Sequence, residues 1–307
     1  MELTEKKPKV SVCVVTYNQE KYIKQCLQSL VDQETVFNFE IIVGDDCSTD
    51  GTREIIKEFS EQYPSVVKLI LHEKNIGPQM NYFAVHNQAV GEFIAHMDGD
   101  DYALPGKLQE QASYLDKYPE CNIVWHRMLI KNESTGVIAE DLIDLTKLPK
   151  GGFRRADILR FITVGLNSSK MYRATVRHFE VPEFTTVDYF ANVEQVGLGY
   201  AHFAGDRPLG TYRAGIGIAT SGNTTKVILK ESFLYFAIKY PQYKREIAFA
   251  VLVLFLAALK NRKWANCLLF TEVLVCTFRF GSVLDIWRYK HILAMLRNPT
   301  SVRRGGR

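Results

Sequence analysis

The chain reads as an α/β protein: a mostly parallel central sheet with flanking helices, followed by a C-terminal helical extension. Three observations carry that reading. Short apolar runs alternate with segments of helical period through the first third of the sequence. Each apolar run ends at a polar tip. Hydrophobic residues make up 47% of 307 residues, ordinary for a globular protein and enough for one large core and an appendage.

The elements follow in order. Met1–Lys9 is polar and does not read as a signal peptide. Val12–Val15 is a buried β run ending in Thr16-Tyr17-Asn18; behind it Tyr22, Ile23, Cys26, Leu27 and Leu30 fall on one helix face. Phe39–Val43 ends in Gly44-Asp45-Asp46-Cys47-Ser48-Thr49-Asp50-Gly51-Thr52, with Thr49 or Asp50 expected to cap a helix carrying Ile55, Ile56 and Phe59. Val66–Leu71 is a third strand, Pro78 to about Ala89 a third helix, and Phe93–Met97 a fourth strand ending in Asp98-Gly99-Asp100-Asp101. Ligands in such sheets bind beyond the carboxyl ends of the strands. The tips at Thr16–Asn18, Asp45-Asp46 and Asp98–Asp101 should therefore converge on one cleft.

Three carboxylates within four residues repel one another unless a cation holds them. Oxygen donors at a strand end suit Mg²⁺ or Mn²⁺, which keep positions open for substrate phosphates. Asp98 and Asp100 project to the same side of an extended segment and form the expected metal pair; Asp101 is expected at the donor or at a water beside the metal. A solvated acidic turn is the plainer alternative. Asp45 reads equally well as a cap of the following helix.

Together these motifs resemble the large inverting family-2 glycosyltransferases with the GT-A fold. The resemblance covers residues 10–130 well and 165–221 more loosely. It implies that the first half, about 10–130, binds a nucleotide sugar, usually a UDP sugar. It also implies that Asp46 contacts the base, that Thr16, Tyr17 and Asn18 lie against the nucleoside, and that Asp98, Gly99 and Asp101 line the donor site. One departure stands out. After the Asn75-Ile76-Gly77 turn, relatives carry an arginine where this chain reads Asn81-Tyr82-Phe83. Lys74 or Lys107 could supply charge instead, although lysines on such segments are usually exposed.

The second half, about 131–225, should bind the acceptor and supply the base. Cys121–Ile130 is strand-like, and 131–157 is polar and turn-rich. In relatives an acidic residue opens an acceptor-side helix and acts as general base. Asp188, preceded here by Val187, matches it, with Glu194 next in line. An acid at a helix start also has a purely structural role, through the macrodipole. Arg213, in a Tyr-Arg pair of the family's last strand, is expected near a phosphate, and Gly215–Gly222 near the donor as a closing loop. His202 reads as a satisfied core or edge residue.

Six cysteines without Cys-x-x-Cys spacing read as reduced thiols in a reducing compartment. Residues 226–307 form the helical extension. Lys260–Arg307 carries ten Lys/Arg against Glu272 and Asp285, a net +8, so the chain's overall +4 comes from this tail. The 13-residue apolar run Ile247–Leu259 is too short to span a bilayer, which takes roughly 20 residues. Apolar helices beside basic clusters suit an anionic membrane surface, and equally a bundle packed on the catalytic domain. The expected activity is metal-dependent, inverting transfer from a UDP sugar to a lipid-linked glycan at the cytoplasmic face of a bacterial membrane during surface-polysaccharide synthesis, with no nucleic-acid partner. The alternatives are a haloacid-dehalogenase-type phosphoryl-transfer enzyme and a nucleotide-sugar-binding protein without turnover.

Overall fold

The computed structural model describes residues 7–216 and 224–296. Its first half is the expected alternation: β1 (Val10–Thr16), α1 (Ile23–Val31), β2 (Phe39–Asp45), α2 (Thr52–Gln62), β3 (Val67–Leu71), α3 (Pro78–Gln88) and β4 (Phe93–Asp98). These strands lie side by side in the order β3-β2-β1-β4, all parallel. Along β1, Val10, Val12 and Val14 pack beneath α1 and α2, while Cys13 faces α3, as the two-residue period of a strand requires.

Beyond β4 the sheet becomes mixed. β8 (Met171–Arg173) inserts antiparallel between β4 and β6 (Cys121–Asn132), β6 pairs in parallel with β9 (Tyr200–Ala214), and β5 (Tyr102–Ala103) pairs antiparallel with β9. β7 (Ile138–Glu140) folds back on β6 within the stretch read from sequence as turns. Between these strands lie α4 (Lys107–Lys117), α5 (Arg155–Phe161), a 3-10 turn at Asn167–Ser169 and α6 (Asp188–Gln195).

Four further helices follow: α7 (Thr224–Lys239), α8 (Lys244–Lys260), α9 (Trp264–Thr277) and α10 (Gly281–Met295). They share a core with the acceptor half, where Phe190, Tyr189 and Phe161 pack on Phe233, Phe236 and Phe249. The start of the apolar run in α8, Ile247–Val251, is buried there.

Candidate active site

Sheet register sets the level of the site. Val15 lies opposite Asp98 and Thr16 opposite Asp45, so the tips of β1, β2 and β4 end side by side. Gly99 makes this close approach possible: a Cβ there would sit 2.4 Å from Gln19 Oε1 and 3.0 Å from Thr16 Cβ, while its N–H donates to Val15 O. The three tips expected to meet do meet.

The first two tips are sewn together by their own polar groups. Asp46 N donates to Thr16 O, Asn18 N to Ser48 Oγ, and Thr49 N to Asn18 Oδ1. Asn18 adopts φ 52°, the left-handed region where asparagine is enriched. Thr16 Oγ1 donates to Gln19 Oε1. Asp50 Oδ1 accepts from Thr52 N and its other oxygen from Glu20 N, but the residue at the cap position of α2 is Gly51, with no side-chain cap, not the expected Thr49 or Asp50. Thr16 and Asn18 therefore shape the tip, whereas Tyr17, 44% exposed, presents its ring to solvent.

Asp45 is buried against Arg53 Nε at 2.6 Å and accepts from Ser48 N, a local structural role. Asp46 accepts from Ile76 N (2.7 Å) and Gly77 N (3.0 Å). It fixes the turn before α3, beside a depression lined by His72, Glu73, Lys74 and Ile76. Both its oxygens are engaged and the residue is buried, so Asp46 holds this wall of the cleft and leaves no free carboxylate for the expected base contact.

The acidic loop is the electrostatic centre. Asp98 Oδ1 accepts from His96 Nε2 (3.1 Å), and Oδ2 from Ser168 Oγ (3.2 Å). Burial alone would raise its pKa, but His96, the Ser168 hydroxyl and Lys170 together hold it below the usual carboxylate range. Asp100 has no such bracing: burial and the Asp98 charge push it up to about 6. Asp101 is pushed well up by burial, Asp100 and Asp98; Oδ1 accepts from Arg213 N (2.9 Å), and buried Oδ2 has no hydrogen-bond partner. Uncompensated negative charge of this kind, on hard oxygen donors, fits a divalent cation. Among the described residues no three His, Cys, Asp or Glu side chains gather as a ready-made cage. The fit is therefore to a site in which one or two carboxylates share the ion with substrate phosphates.

Sequence reasoning missed what lies behind this loop. Tyr172 Oη, His86 Nδ1 and Nε2, His96 Nδ1 and Nε2, and Asp98 Oδ1 form one buried chain with steps of 2.6, 2.9 and 3.1 Å. Burial, His96, Lys170 and Arg177 hold the His86 pKa well below its ordinary value. Lys107 is fully buried, contrary to the expectation of an exposed lysine. It donates to His126 Nε2 (2.9 Å), Ser168 O and Gln111 Oε1, and burial brings its pKa down to about 7. Lone polar residues inside apolar runs carry no periodic signal; the His86/His96 pair and Lys107 were visible only as such interruptions.

Asp188 is the first residue of α6, half-buried, with Oδ1 accepting from Tyr189 N. Burial raises its pKa; Lys170 and the Tyr189 amide oppose, and Asp98 adds to the rise. Asp98 and His96 thus lie within electrostatic reach of Asp188. Glu194 is spent on Lys239 (3.0 Å) and the Tyr240 hydroxyl. Arg213 sends its guanidinium to Glu133 (2.7 Å) and Gln25 and lies over the Tyr22 ring, so it braces β9 against α1. His202 stacks on Tyr114 and bonds Phe203 O, a satisfied edge residue. Most of the expected closing loop, residues 217–222, lies outside the described residues.

A family model described as glycosyl transferase family 2 matches residues 11–172. An uncharacterized protein of Mycobacterium tuberculosis, Rv1520, is 34% identical over 189 residues, 60% of this chain and 53% of that protein. The poly(ribitol-phosphate) beta-N-acetylglucosaminyltransferase TarS of Staphylococcus aureus is 38% identical over 111 residues, 36% of this chain and 19% of TarS. The chain thus spans about half, or less, of the length of these curated relatives. The crystal structure of S. aureus TarS 1-349 with UDP-GlcNAc superposes with TM-score 0.58 at 22% identity, covering 79% of this chain and 71% of that one. The mannosyltransferase PcManGT of Pyrobaculum calidifontis, solved with GDP-Man and Mn²⁺, gives TM-score 0.55 at 17% identity, covering 95% and 85%. These neighbours share the GT-A fold, and the family match removes the haloacid-dehalogenase alternative. With three strand tips converged on an acidic loop and the family model covering them, the chain belongs to glycosyl transferase family 2.

Proposed function

We propose that the protein transfers a sugar from a UDP donor to a glycan acceptor with inversion, aided by Mn²⁺ or Mg²⁺. The observation that supports this best is the unlike setting of two carboxylates within electrostatic reach of each other: Asp98 at the tip of β4, bonded by His96 and Ser168, and Asp188 at the start of α6, bonded only by the Tyr189 amide. Asp98 and Asp100 would hold the metal, which supplies Lewis-acid stabilisation of the departing diphosphate. Tyr17 offers a face for the base, and Asp46 with the Ile76–Gly77 turn walls the nucleotide side. Asp188 accepts the acceptor hydroxyl's proton as that oxygen attacks C1 from the side opposite the leaving group. UDP is chosen because TarS was solved with UDP-GlcNAc; a glycan acceptor is chosen because TarS is named for a polymer substrate.

Asp188→Asn keeps the size of the side chain and removes its basicity. Transfer should fall about 10²–10⁴-fold with UDP affinity little changed. Normal transfer by this variant, or product of retained configuration, would remove the single-displacement reading.

A lipid-linked acceptor at an anionic membrane surface belongs to the same proposal. No described helix is long and apolar enough to cross a membrane alone; α9 and α10 form a pair bent by 115°. Their pattern is inverted for a water-facing helix. Asn266, Thr277, Ser282 and Asp285 are buried, Asp285 on Arg245. Outside, Trp264, Leu268, Val275 and Phe278 make one stripe, and Phe280, Leu284 and Trp287 another. Lys260, Arg262, Lys263, Arg279, Arg288 and Lys290 accompany them, exposed. Tryptophan beside basic residues suits a lipid interface. Trp264→Ser with Trp287→Ser should lower sedimentation with phosphatidylglycerol vesicles, and high salt should lower it for the unaltered protein. Vesicle binding indifferent to both would assign these faces to another partner.

A further inference from the structure

Lys170 lies between β4 and α6, the elements that carry Asp98 and Asp188, and touches neither carboxylate. It is wholly buried, in no salt bridge among the described residues, and follows the 3-10 turn that carries Ser168. Its backbone oxygen accepts from His96 N (3.0 Å) on β4. Its Nζ donates to Asn192 Oδ1 (3.1 Å) and Gln195 Oε1 (3.4 Å) on α6, between the rings of Tyr82 and Tyr172 at 5.8 and 5.6 Å. Asp188, Asn192 and Gln195 fall at i, i+4 and i+7, one face of α6.

We propose that Lys170 is a positioning residue: it ties β4 to α6, fixing the depth at which Asp188 faces the cleft, and its buried charge keeps Asp188 able to accept a proton. The inference rests on the assignment of Asp188 as base. A buried ammonium among amide oxygens and ring faces has lost its water without gaining a contact ion pair. The compensating negative charge is Asp188 on one side and Asp98 on the other, which offset the burial that lowers Lys170 to about 8. Asp188 in turn faces Lys170, His96 and Asp98 of β4, Tyr82 of α3 and Tyr212 of β9. Lys170 is the most strongly stabilising of these for its carboxylate. Neither neutral tyrosine supplies that charge, and Asp98 opposes it.

The test is a carboxyl-carbon NMR titration of ¹³C-aspartate-labelled full chain, with the Asp188 signal identified by its loss in Asp188→Asn. Lys170→Met should raise the Asp188 midpoint by about one pH unit or more. Asn192→Asp keeps the lysine and the shape of the site but sets a carboxylate beside the ammonium; it should raise the midpoint as well, which covers the case in which the methionine variant does not fold. UDP affinity, read by calorimetry, should change less than about twofold in either variant, because the lysine is sealed from the cleft; the threshold is well under the tenfold that 1.4 kcal/mol represents. An unmoved Asp188 midpoint in a folded variant overturns the proposal even if Asp188→Asn is inactive. Normal transfer by Asp188→Asn overturns the base assignment instead, whatever the titration shows.

Discussion

The tip of β4 and the first turn of α6 both present an aspartate to the cleft, and they treat it in opposite ways. Asp98 is held by the His96 imidazole and the Ser168 hydroxyl, which keep its carboxyl below the usual carboxylate range. Asp188 has one amide of its own helix and a lysine at a distance, and its affinity for a proton rises. In the proposed scheme Asp98 offers the metal a braced, standing charge. A base must gain and lose a proton at working pH. The same side chain serves either end because its surroundings, not its chemistry, differ.

The harshest way to break this comparison is to delete a donor-side carboxylate. Asp100→Ala should abolish transfer while leaving the melting temperature intact or higher, since Asp100 lies at a strand tip and its charge is uncompensated. Near-normal turnover, or full activity in excess EDTA, would remove the metal from the scheme. A smaller effect is expected from the support behind the ligand. His96→Leu leaves Asp98 in place but strips its buried partner, and Mn²⁺ affinity measured by electron paramagnetic resonance should weaken about 10–100-fold, the usual cost of losing a group that orients a ligand. Unchanged affinity would mean that Ser168 alone orients Asp98.

The mildest test reads stability. Asp100 rises from 3.8 to about 6 on folding, so the folded protein binds this proton more tightly than the unfolded chain. Its stabilising contribution is complete below about pH 4 and is lost as pH rises through about 6. A divalent cation should restore the loss. Added Mn²⁺ should raise the melting temperature by a few degrees at pH 7.5 and by much less at pH 4.5. Equal shifts at both values would place the ion away from Asp100.

How much of this was legible follows the same divide. The strands ending at Thr16, Asp45 and Asp98 could be read because apolar run, polar tip and helix period are local signals. Even the convergence of the tips follows from parallel pairing. The hydrogen bonds from Ile76 and Gly77 to Asp46 could not be read, because they join residues thirty positions apart through backbone that any sequence carries. Nor could β8, which is only Met171–Arg173 and owes its place to neighbours on both sides. Lys107 looks like a surface lysine in the sequence; what surrounds its ammonium is Gln111, His126 and Ser168 O, and what surrounds that of Lys170 is Asn192, Gln195, Tyr82 and Tyr172, distant residues with no common periodic signature.

The parallel pairing of β6 with β9 has a kinetic consequence. Two parallel strands cannot be joined by a hairpin, and everything between Asn132 and Tyr200 must be threaded as a crossover before Cys121 can meet Tyr200. That crossover holds α5, β8, Lys170 and Asp188. β1 meets β2 and β2 meets β3 across short links, Val10 to Phe39 and Ile41 to Val67, and these pairs can form early, whereas β9 must wait for far more distant partners, Cys121 of β6 and Tyr102 of β5. On refolding, amide protection in β1, β2 and β3 should therefore appear before protection in β9, with an interval set by closing those long loops.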